Sequence, residues 1–198
     1  MKTIDAAPAA ECIERHPWEH FIPDHARLLI MGTFPPGRHR WSMDFYYPNR
    51  TNDFWPMMGL VFLGDRRALL ASDGKGYDLT AIKSLLCRTG IALNDTARAV
   101  RRLRGNASDK YLEILEPVPL ENLLTLMPEC RNVATTGEKA ASVIASLTST
   151  DVPAMGCRTE SADGLGIWRM PSTSRAFPMK LEQKAAFYET MFRRVGCL

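Results

Sequence analysis

The sequence lacks three features that mark large classes of protein: long apolar runs, clustered cysteines and a strong excess of one charge. No uninterrupted apolar stretch approaches the roughly 20 residues that span a bilayer, and runs such as Leu28–Met31 are only strand-sized. The five cysteines are dispersed without a C-x-x-C pair, which disfavours a zinc ribbon or a clustered iron–sulfur site and fits a reducing compartment. We therefore expect a cytoplasmic protein with no metal, no cofactor and no membrane segment.

The charge balance is nearly even, because 25 Lys and Arg face 22 Asp and Glu, and the net charge of +3 permits a polyanionic partner without requiring one. Hydrophobic residues make up 45% of the 198 positions, which is enough for a buried core. This length predicts a single domain. We expect an N-terminal arm over residues 1–26, which are polar and interrupted by proline, and one folded domain over residues 27–198.

The four histidines all lie in the first fifth of the chain. His16 and His20 have the spacing of a metal-binding pair on a helix, but Pro17 between them is unsuited to a helix interior. We therefore expect surface histidines rather than a metal site.

Apolar runs and helical periodicities alternate about four times along the chain. Strands are predicted at Arg27–Phe34, Ile91–Leu93, Asn132–Thr136 and Leu165–Met170, and helices at Phe54–Phe62, Tyr77–Thr89, Ala107–Leu115, Leu120–Met127, 137–147 and Lys180–Val195. This alternation predicts an α/β domain around a small, mostly parallel sheet of about four strands. Ligands bind at the carboxyl ends of the strands in such folds, so residues 33–55, 94–96 and 170–177 are expected to meet at one opening.

The first candidate segment is Gly32–Gly37, which follows a buried strand and contains Pro35 and Pro36. Glycine permits close approach of the backbone to a ligand, and the prolines stiffen the loop. A plain turn at the end of a strand explains the same residues. A nucleotide-binding P-loop is excluded, because the G-x-x-x-x-G-K-[ST] pattern is missing.

The second candidate segment runs from residue 45 to residue 55 and combines aromatic side chains with asparagines. Aromatic faces stack on nucleobases, and an asparagine amide pairs with the edge of a base. Tyr47 and Asn52 are the candidates for these tasks, whereas Phe54 and Trp55 are expected to pack in the core. A loop whose aromatics only fill the core is the competing interpretation.

Two further segments carry groups that bind phosphate. Residues 170–175 place short hydroxyls and Arg175 at the end of a strand, although a loop that caps the last helix explains them equally well. Arg98, Arg101 and Arg102, with Arg104 nearby, are predicted to share one helical face. A solvated basic face is the default interpretation for these arginines, and contact with a DNA backbone is the second.

Taken in this order, the motifs resemble those of the uracil-DNA glycosylase superfamily, and they come nearest the mismatch-specific uracil/thymine and hypoxanthine-DNA glycosylase branches. The resemblance covers about residues 27–192. The matching segments are Gly32–Pro35, Tyr46 through Trp55, Gly90–Asp95, Thr136–Ala140 and Pro171–Ser174.

The resemblance implies a three-layer α/β/α sandwich and a monofunctional DNA glycosylase that hydrolyses the N-glycosidic bond of a flipped-out deaminated base. Its partner would be DNA with a deaminated or mismatched base, bound by a monomer. By match, Asn52 is the catalytic residue, and Tyr47 stacks on the base with Tyr46 as the alternative. The remaining roles implied are a base pocket at Gly32, Thr33, Phe34 and Pro35, and DNA contacts at Ser172, Thr173, Ser174 and Arg175.

Two positions depart from the family pattern. Phe34 stands where many members carry Asn or Asp, and Met170 stands where the strongest uracil enzymes have His. Both departures argue against efficient excision of uracil. A module that binds damaged DNA or a nucleotide without cutting it, and an enzyme acting on small nucleosides or nucleotides, are therefore retained as alternatives.

Overall fold

Strands and helices alternate along the chain of this computed structural model, which describes residues 13–103 and 111–198. The strands in these ranges are β1 (Ile13–Arg15), β2 (Leu28–Gly32), β3 (Ile91–Asp95), β4 (Ala97–Arg102), β5 (Leu112–Pro117), β6 (Asn132–Thr136), β7 (Arg158–Glu160) and β8 (Gly166–Met170). The α-helices are α1 (Phe54–Leu63), α2 (Leu79–Thr89), α3 (Leu120–Thr125), α4 (Glu138–Leu147) and α5 (Leu181–Arg194). A short 3-10 turn covers Arg38–Arg40.

The larger sheet has the strand order β3-β2-β6-β8-β7 and forms the centre of the molecule. Strands β3, β2, β6 and β8 run parallel, and β7 is antiparallel to β8. Within the described residues the sheet therefore has five strands, one more than the expected four. The short edge strand β7 was missed because it has an exposed, polar sequence without an apolar run.

Helices cover both faces of this sheet. Leu28 and Ile30 of β2 point into a core shared with α1, α2 and α5, whereas Leu29 and Met31 point into a second core shared with α3 and α4. All five residues of β2 are buried, as expected for a parallel strand covered on both sides. The structure thus confirms the predicted α/β/α sandwich.

Local signals account for the helix boundaries near the site. The Asp78 side chain accepts a hydrogen bond from the Ala81 amide at 2.9 Å and caps the start of α2. Gly90 ends that helix with φ of 65°, a conformation that glycine adopts at little cost.

A second, antiparallel sheet has the order β1-β4-β5, and it corrects the predicted arginine helix. Residues 97–102 form a strand, and each of its three arginines lies beside a carboxylate of a neighbouring strand, although the Arg98 side chain remains 58% exposed. Arg101 pairs with Glu113 at 2.9 Å, Arg102 with Glu14 at 2.6 Å, and Arg98 lies 3.7 Å from Glu116. Arg104 lies outside the described residues.

Two other predictions are wrong in the described part of the chain. Leu112–Pro117 is strand β5, where a helix was predicted over Ala107–Leu115, because its side chains alternate between buried and exposed positions. Residues 107–110 lie outside the described residues. His16 was expected at the surface, but its side chain is only 8% exposed.

Part of the predicted N-terminal arm, residues 1–12, also lies outside the described residues. The following segment is paired with the rest of the protein: β1 lies antiparallel to β4, and Phe21 forms a bridge with Leu93. This pairing brings His16 next to the end of β3.

Candidate active site

A pocket of about 290 Å³ opens at the carboxyl ends of β2, β3 and β6. Strands β3 and β6 flank β2 on opposite sides, so the pocket lies where the strand order reverses, the usual ligand site of open α/β sheets. Its volume is close to the lower limit for small-molecule pockets. The structure brings all the predicted site residues together in its lining: Gly32, Thr33, Phe34, Pro35, Tyr47, Asn52, Ser172, Thr173, Ser174 and Arg175.

Gly32 ends β2 in close contact with a carboxylate. A Cβ atom on Gly32 would stand 2.6 Å from Asp95 Oδ1 and 3.4 Å from the Tyr47 hydroxyl oxygen, so the approach requires glycine. The Thr96 amide donates to the Gly32 carbonyl at 2.9 Å and fixes the strand end. The backbone at Gly32 was expected to approach a ligand closely, and in the structure it makes a close approach to the Asp95 side chain.

Phe34 and Pro35 continue the same wall of the pocket. The Phe34 ring packs beside the apolar cluster of the antiparallel sheet, and it meets the His16 ring edge-on with centroids 5.6 Å apart. The Arg102 guanidinium lies 5.8 Å from the Phe34 centroid and donates to the Pro35 carbonyl at 2.7 Å. Phe34 thus contributes an apolar ring where the resemblance implies a polar side chain.

Tyr47, rather than Tyr46, lines the pocket. Its ring stacks on Phe54 at a centroid distance of 3.7 Å, and its hydroxyl lies 3.2 Å from Thr136 Oγ1. Burial raises the pKa of Tyr47 well above its usual value, so the phenol keeps its proton. Tyr46 is 1% exposed, donates to Asn94 Oδ1 at 3.1 Å and belongs to the core. Tyr47 also has φ of 51°, an uncommon conformation for a bulky residue.

Asn52 stands immediately before helix α1. Its backbone N–H donates to the Asn49 carbonyl at 2.8 Å, and its side-chain Oδ1 accepts from the Phe54 backbone amide at 2.8 Å. Because that oxygen is engaged, the group that Asn52 offers to a ligand is its amide NH₂ donor. The neighbouring Phe54 and Trp55 are 0% and 1% exposed, so their predicted place in the core is confirmed.

The Ser172–Arg175 loop is tied to the residue that follows Asn52. The Asp53 amide donates to the Thr173 carbonyl at 2.8 Å, and the Arg175 Nε lies 3.7 Å from Asp53 Oδ1. Ser172 Oγ accepts from the Ser174 amide at 3.2 Å, which folds the loop tightly. The Arg175 side chain is 62% exposed and is accessible to a ligand at the pocket opening.

Lys184 of α5 also links the Ser172–Arg175 loop to Asp53, and this contact was not predicted from the sequence. Its side chain is 0% exposed, and Nζ donates at 2.8 Å both to Asp53 Oδ2 and to the Ser174 carbonyl. The sequence signal that could have identified this lysine is its position within the apolar stripe of α5, between Leu181 and Tyr188. A buried lysine needs such partners, since an unpaired charge in the interior is strongly unfavourable.

A second buried ionic pair, His16 with Asp95, borders the pocket and was also missed. His16 Nε2 lies 3.0 Å from Asp95 Oδ2, and both side chains are 8% exposed. Burial lowers the pKa of His16, but the hydrogen bond and charge of Asp95, with a smaller effect of the Trp18 carbonyl, raise it further, so the net shift is upward. In the sequence, Asp95 belonged to a strand motif and to the segment 94–96 expected at the opening, but the pair itself was not predicted because its two members lie 79 residues apart.

A solved structure from Methanosarcina acetivorans matches nearly the whole chain. It is a solution NMR structure described as a "putative Uracil DNA glycosylase", with a TM-score of 0.62, 21% sequence identity, and coverage of 93% of this chain and 99% of that chain. This chain shares its fold. No protein-family model and no curated protein matches the sequence.

The donors and acceptors around the pocket suit a heterocyclic ligand that bears a phosphate. One wall offers the Asn52 amide and the Tyr47 ring, the other offers the Asp95 carboxylate, and Arg175 stands at the opening. Among the described residues, no group of three or more His, Cys, Asp or Glu side chains is placed to hold a metal ion. No helix in that part of the chain is long and apolar enough to cross a membrane.

Proposed function

We propose that this chain is a DNA glycosylase of the uracil-DNA glycosylase superfamily that removes a flipped-out deaminated base of the uracil or hypoxanthine class. The observation that carries the proposal is the convergence of three separate motifs, Gly32–Pro35, Tyr47 with Asn52, and Ser172–Arg175, on one pocket. The fold shared with the Methanosarcina structure supports it. Such an enzyme must bind the base outside the duplex, because its glycosidic bond is inaccessible within the stack.

The pocket provides separate contacts for the base and for the backbone. Tyr47 is supported from beneath by Phe54 and presents a rigid aromatic surface for the extruded base. The Ser172 hydroxyl and the exposed Arg175 guanidinium are suited to the flanking phosphates. Together these contacts offset the few kcal/mol that base flipping costs.

Asn52 is assigned the catalytic role. Cleavage of the C1′–N bond leaves the electron pair on the departing base, water adds to C1′ of the sugar, and the proton that the water loses neutralises the base. Because Oδ1 already accepts from the Phe54 amide, we assign Asn52 to donate its amide N–H to the base as negative charge develops there. A fixed donor at that position favours the transition state over the ground state.

Hydrolysis, rather than a lyase reaction through a Schiff base, suits the described residues around the pocket. The buried lysine nearest the site, Lys184, has its ammonium group bonded to Asp53 and to the Ser174 carbonyl. An amine held as a paired cation is not a nucleophile. We therefore propose a monofunctional glycosylase without a cofactor.

The branch of the superfamily is part of the proposal. Met170, which takes the place of the histidine of the strongest uracil enzymes, is 1% exposed and packs in the core. The apolar Phe34 lines the pocket in place of a polar side chain. Both features favour the mismatch-specific or hypoxanthine-type branches. We further propose that the enzyme acts on DNA as a cytoplasmic monomer.

Labelled duplexes that carry uracil, hypoxanthine, xanthine or mismatched thymine test this function. We expect alkali-labile product from at least one deaminated base and none from the undamaged duplex. Asn52→Ala should abolish most of the product while leaving DNA binding nearly intact, and Asn122→Ala, an exposed position on α3, is the matched control. Binding of damaged DNA without product would favour the non-catalytic module. Preference for a mononucleotide over duplex DNA would favour the small-molecule enzyme.

A further inference from the structure

The Asp95 carboxylate is the one anionic group that the described residues place beside the end of β2 in the pocket. Its Oδ2 is held by His16 Nε2 at 3.0 Å. Its Oδ1 lies against Gly32 and near the Tyr47 hydroxyl, and no described residue donates a hydrogen bond to it. An ionised carboxylate only accepts hydrogen bonds, so Oδ1 is suited to a ligand that brings an N–H.

His16 is surrounded so that it holds Asp95 in this orientation. Nε2 lies 3.0 Å from Asp95 Oδ2, while Nδ1 lies 2.9 Å from the Trp18 carbonyl oxygen and 3.3 Å from the Trp18 backbone nitrogen. An Nε2–H therefore donates to Asp95 both in the imidazolium form and in the neutral ring whose Nδ1 accepts from the Trp18 amide. The Phe34 and Trp18 rings meet His16 edge-on, and the Tyr46 ring stacks on it with centroids 5.7 Å apart.

We propose that His16 is a positioning residue that fixes Asp95 as a hydrogen-bond acceptor for a ring N–H of the bound base. The proposal rests on the proposed glycosylase function and specifies the substrate class of the same pocket. It assigns a role to the N-terminal segment, because His16 follows β1 and the pairing of β1 with β4 places it beside Asp95.

The His16–Asp95 pair distinguishes a deaminated base from its parent base by the hydrogen that deamination adds to a ring nitrogen. Adenine N1 and cytosine N3 are ring acceptors, whereas hypoxanthine N1 and uracil N3 carry a hydrogen. The Asp95 carboxylate therefore attracts the deaminated ring and repels the lone pair of the parent ring. Guanine N1 and thymine N3 also carry a hydrogen, so this contact discriminates only against adenine and cytosine.

Protonation of His16 links this contact to pH. The titratable and charged groups that face the pair are Asp95 and Glu19, with the phenols of Tyr46 and Tyr47 beside the carboxylate. Because the pKa of folded His16 is raised, the charged form of the pair is complete below the usual value near 6.5, and as the pH rises through the raised value it is replaced by the neutral ring, which keeps the Nε2–H bond to Asp95. Base recognition should weaken over the same range to the level that a neutral donor supports.

The first experiment measures nucleosides binding to the intact protein, without any cleavage of DNA. The His16 imidazole signals are followed by NMR while inosine, 1-methylinosine or adenosine is added, because N9 is substituted in all three and only inosine carries a ring N–H, at N1. We expect inosine to shift these signals, and we expect no shift from the other two. Equal shifts from inosine and 1-methylinosine, or none from any nucleoside, would overturn the proposal whether or not the protein cleaves DNA.

The second experiment compares His16→Leu, His16→Gln and the control His20→Leu on a hypoxanthine duplex across pH. The leucine variant should lose about 10- to 100-fold in kcat/KM, as expected for a lost hydrogen bond to a charged group. Glutamine keeps one donor toward Asp95 and should recover most of the activity without the decline at alkaline pH. A glutamine variant as impaired as the leucine variant, or one that keeps the wild-type pH profile, would contradict a positioning role.

The two experiments separate failure of this inference from failure of the proposed function. If the wild-type protein cleaves no duplex but responds selectively to the ring N–H, the glycosylase proposal is wrong and the acceptor site stands. If the duplex is cleaved and the response is not selective, the glycosylase stands and the role of the pair is wrong.

Discussion

The Asn52 side chain serves two purposes with its two ends. Oδ1 accepts from the backbone amide of Phe54, the first residue of α1, whereas the NH₂ group is left for the pocket. The contact that stabilises the helix therefore depends on Oδ1, whereas the proposed catalytic contact depends on the NH₂ group. Substitutions that alter one end at a time distinguish them.

We predict that Asn52→Asp lowers the rate of excision about 10²- to 10³-fold with little change in stability. Aspartate keeps an oxygen for the Phe54 amide but removes the N–H donor, and loss of one such donor has about this effect on kcat. Asn52→Ala should lose the same activity and also about 1 kcal/mol of unfolding free energy, because the hydrogen bond from the Phe54 amide is lost. Single-turnover excision and urea unfolding measure the two effects. A wild-type rate for the aspartate variant would show that the amide donor is not used.

Tyr47 also has two roles, since its ring packs on Phe54 and faces the pocket. We predict that Tyr47→Phe keeps most of the activity, because stacking needs the ring, and that it loses about 1 kcal/mol from the contact with Thr136. Tyr47→Ala should lower stability by about 3 kcal/mol, the low end for truncation of a large aromatic ring because Tyr47 is only partly buried, and excision by about 5- to 150-fold. Melting temperature and single-turnover excision per folded molecule separate these effects. Normal excision by the folded alanine variant would exclude stacking.

At the scale of elements, the ion pair of Asp53 and Lys184 joins three parts of the chain. Asp53 precedes α1, Lys184 belongs to α5, and the Ser174 carbonyl belongs to the loop at the pocket opening. The two charges compensate each other in the interior. Removal of Lys184 leaves the buried Asp53 carboxylate with only the exposed Arg175 guanidinium at 3.7 Å, whereas removal of both charges leaves neither to desolvate.

We predict that Lys184→Met lowers the free energy of unfolding by about 3–5 kcal/mol. The double variant Asp53→Asn/Lys184→Met should recover most of that loss, because neither charge remains. Its excision should stay impaired, since the Ser174 carbonyl has lost its donor and the loop its anchor. Urea unfolding and excision at saturating DNA test both statements. If activity returns together with stability, the pair does not position the loop.

The elements that could be predicted from the sequence are those with a local signal. Helices α2, α4 and α5 and strand β6 were predicted to within about two residues, because apolar spacing, prolines and glycines mark them. Strands β1, β4, β5 and β7 were missed. They are short or amphipathic, and what makes them strands is a partner that is distant in the sequence.

The same distinction applies to the site. Gly32, Tyr47 and Asn52 were found because glycine, aromatic and amide residues form recognisable local motifs. His16, Asp95 and Lys184 were not, because a charged residue in the interior is explained only by its partner, and Lys184 lies 131 residues from Asp53. Burial, which creates both ion pairs, is a property of the folded chain.

At the scale of the whole molecule, the arginines divide into two groups. Those on β4 lie beside carboxylates, so they contribute little to the field that attracts DNA. Arg40 and Arg175 line the pocket, and the Arg175 guanidinium is mostly exposed. With a net charge of only +3, attraction of DNA has to come from such a local arrangement rather than from the total charge.

We predict that Arg175→Ala weakens DNA binding similarly for damaged and undamaged duplexes and lowers the slope of log affinity against log salt by about 0.9, the value for one phosphate contact. Arg193→Ala on α5 is the matched control, because it removes the same charge from an exposed side chain that pairs with Glu189 at 2.8 Å. Both variants have the same net charge, so a long-range effect would change the two slopes equally. A change confined to Arg175→Ala would mean that the guanidinium binds phosphate directly, whereas equal slopes in the two variants would remove the Ser172–Arg175 loop from the DNA interface. The loss should be independent of the base in the duplex, since a phosphate contact carries no sequence information.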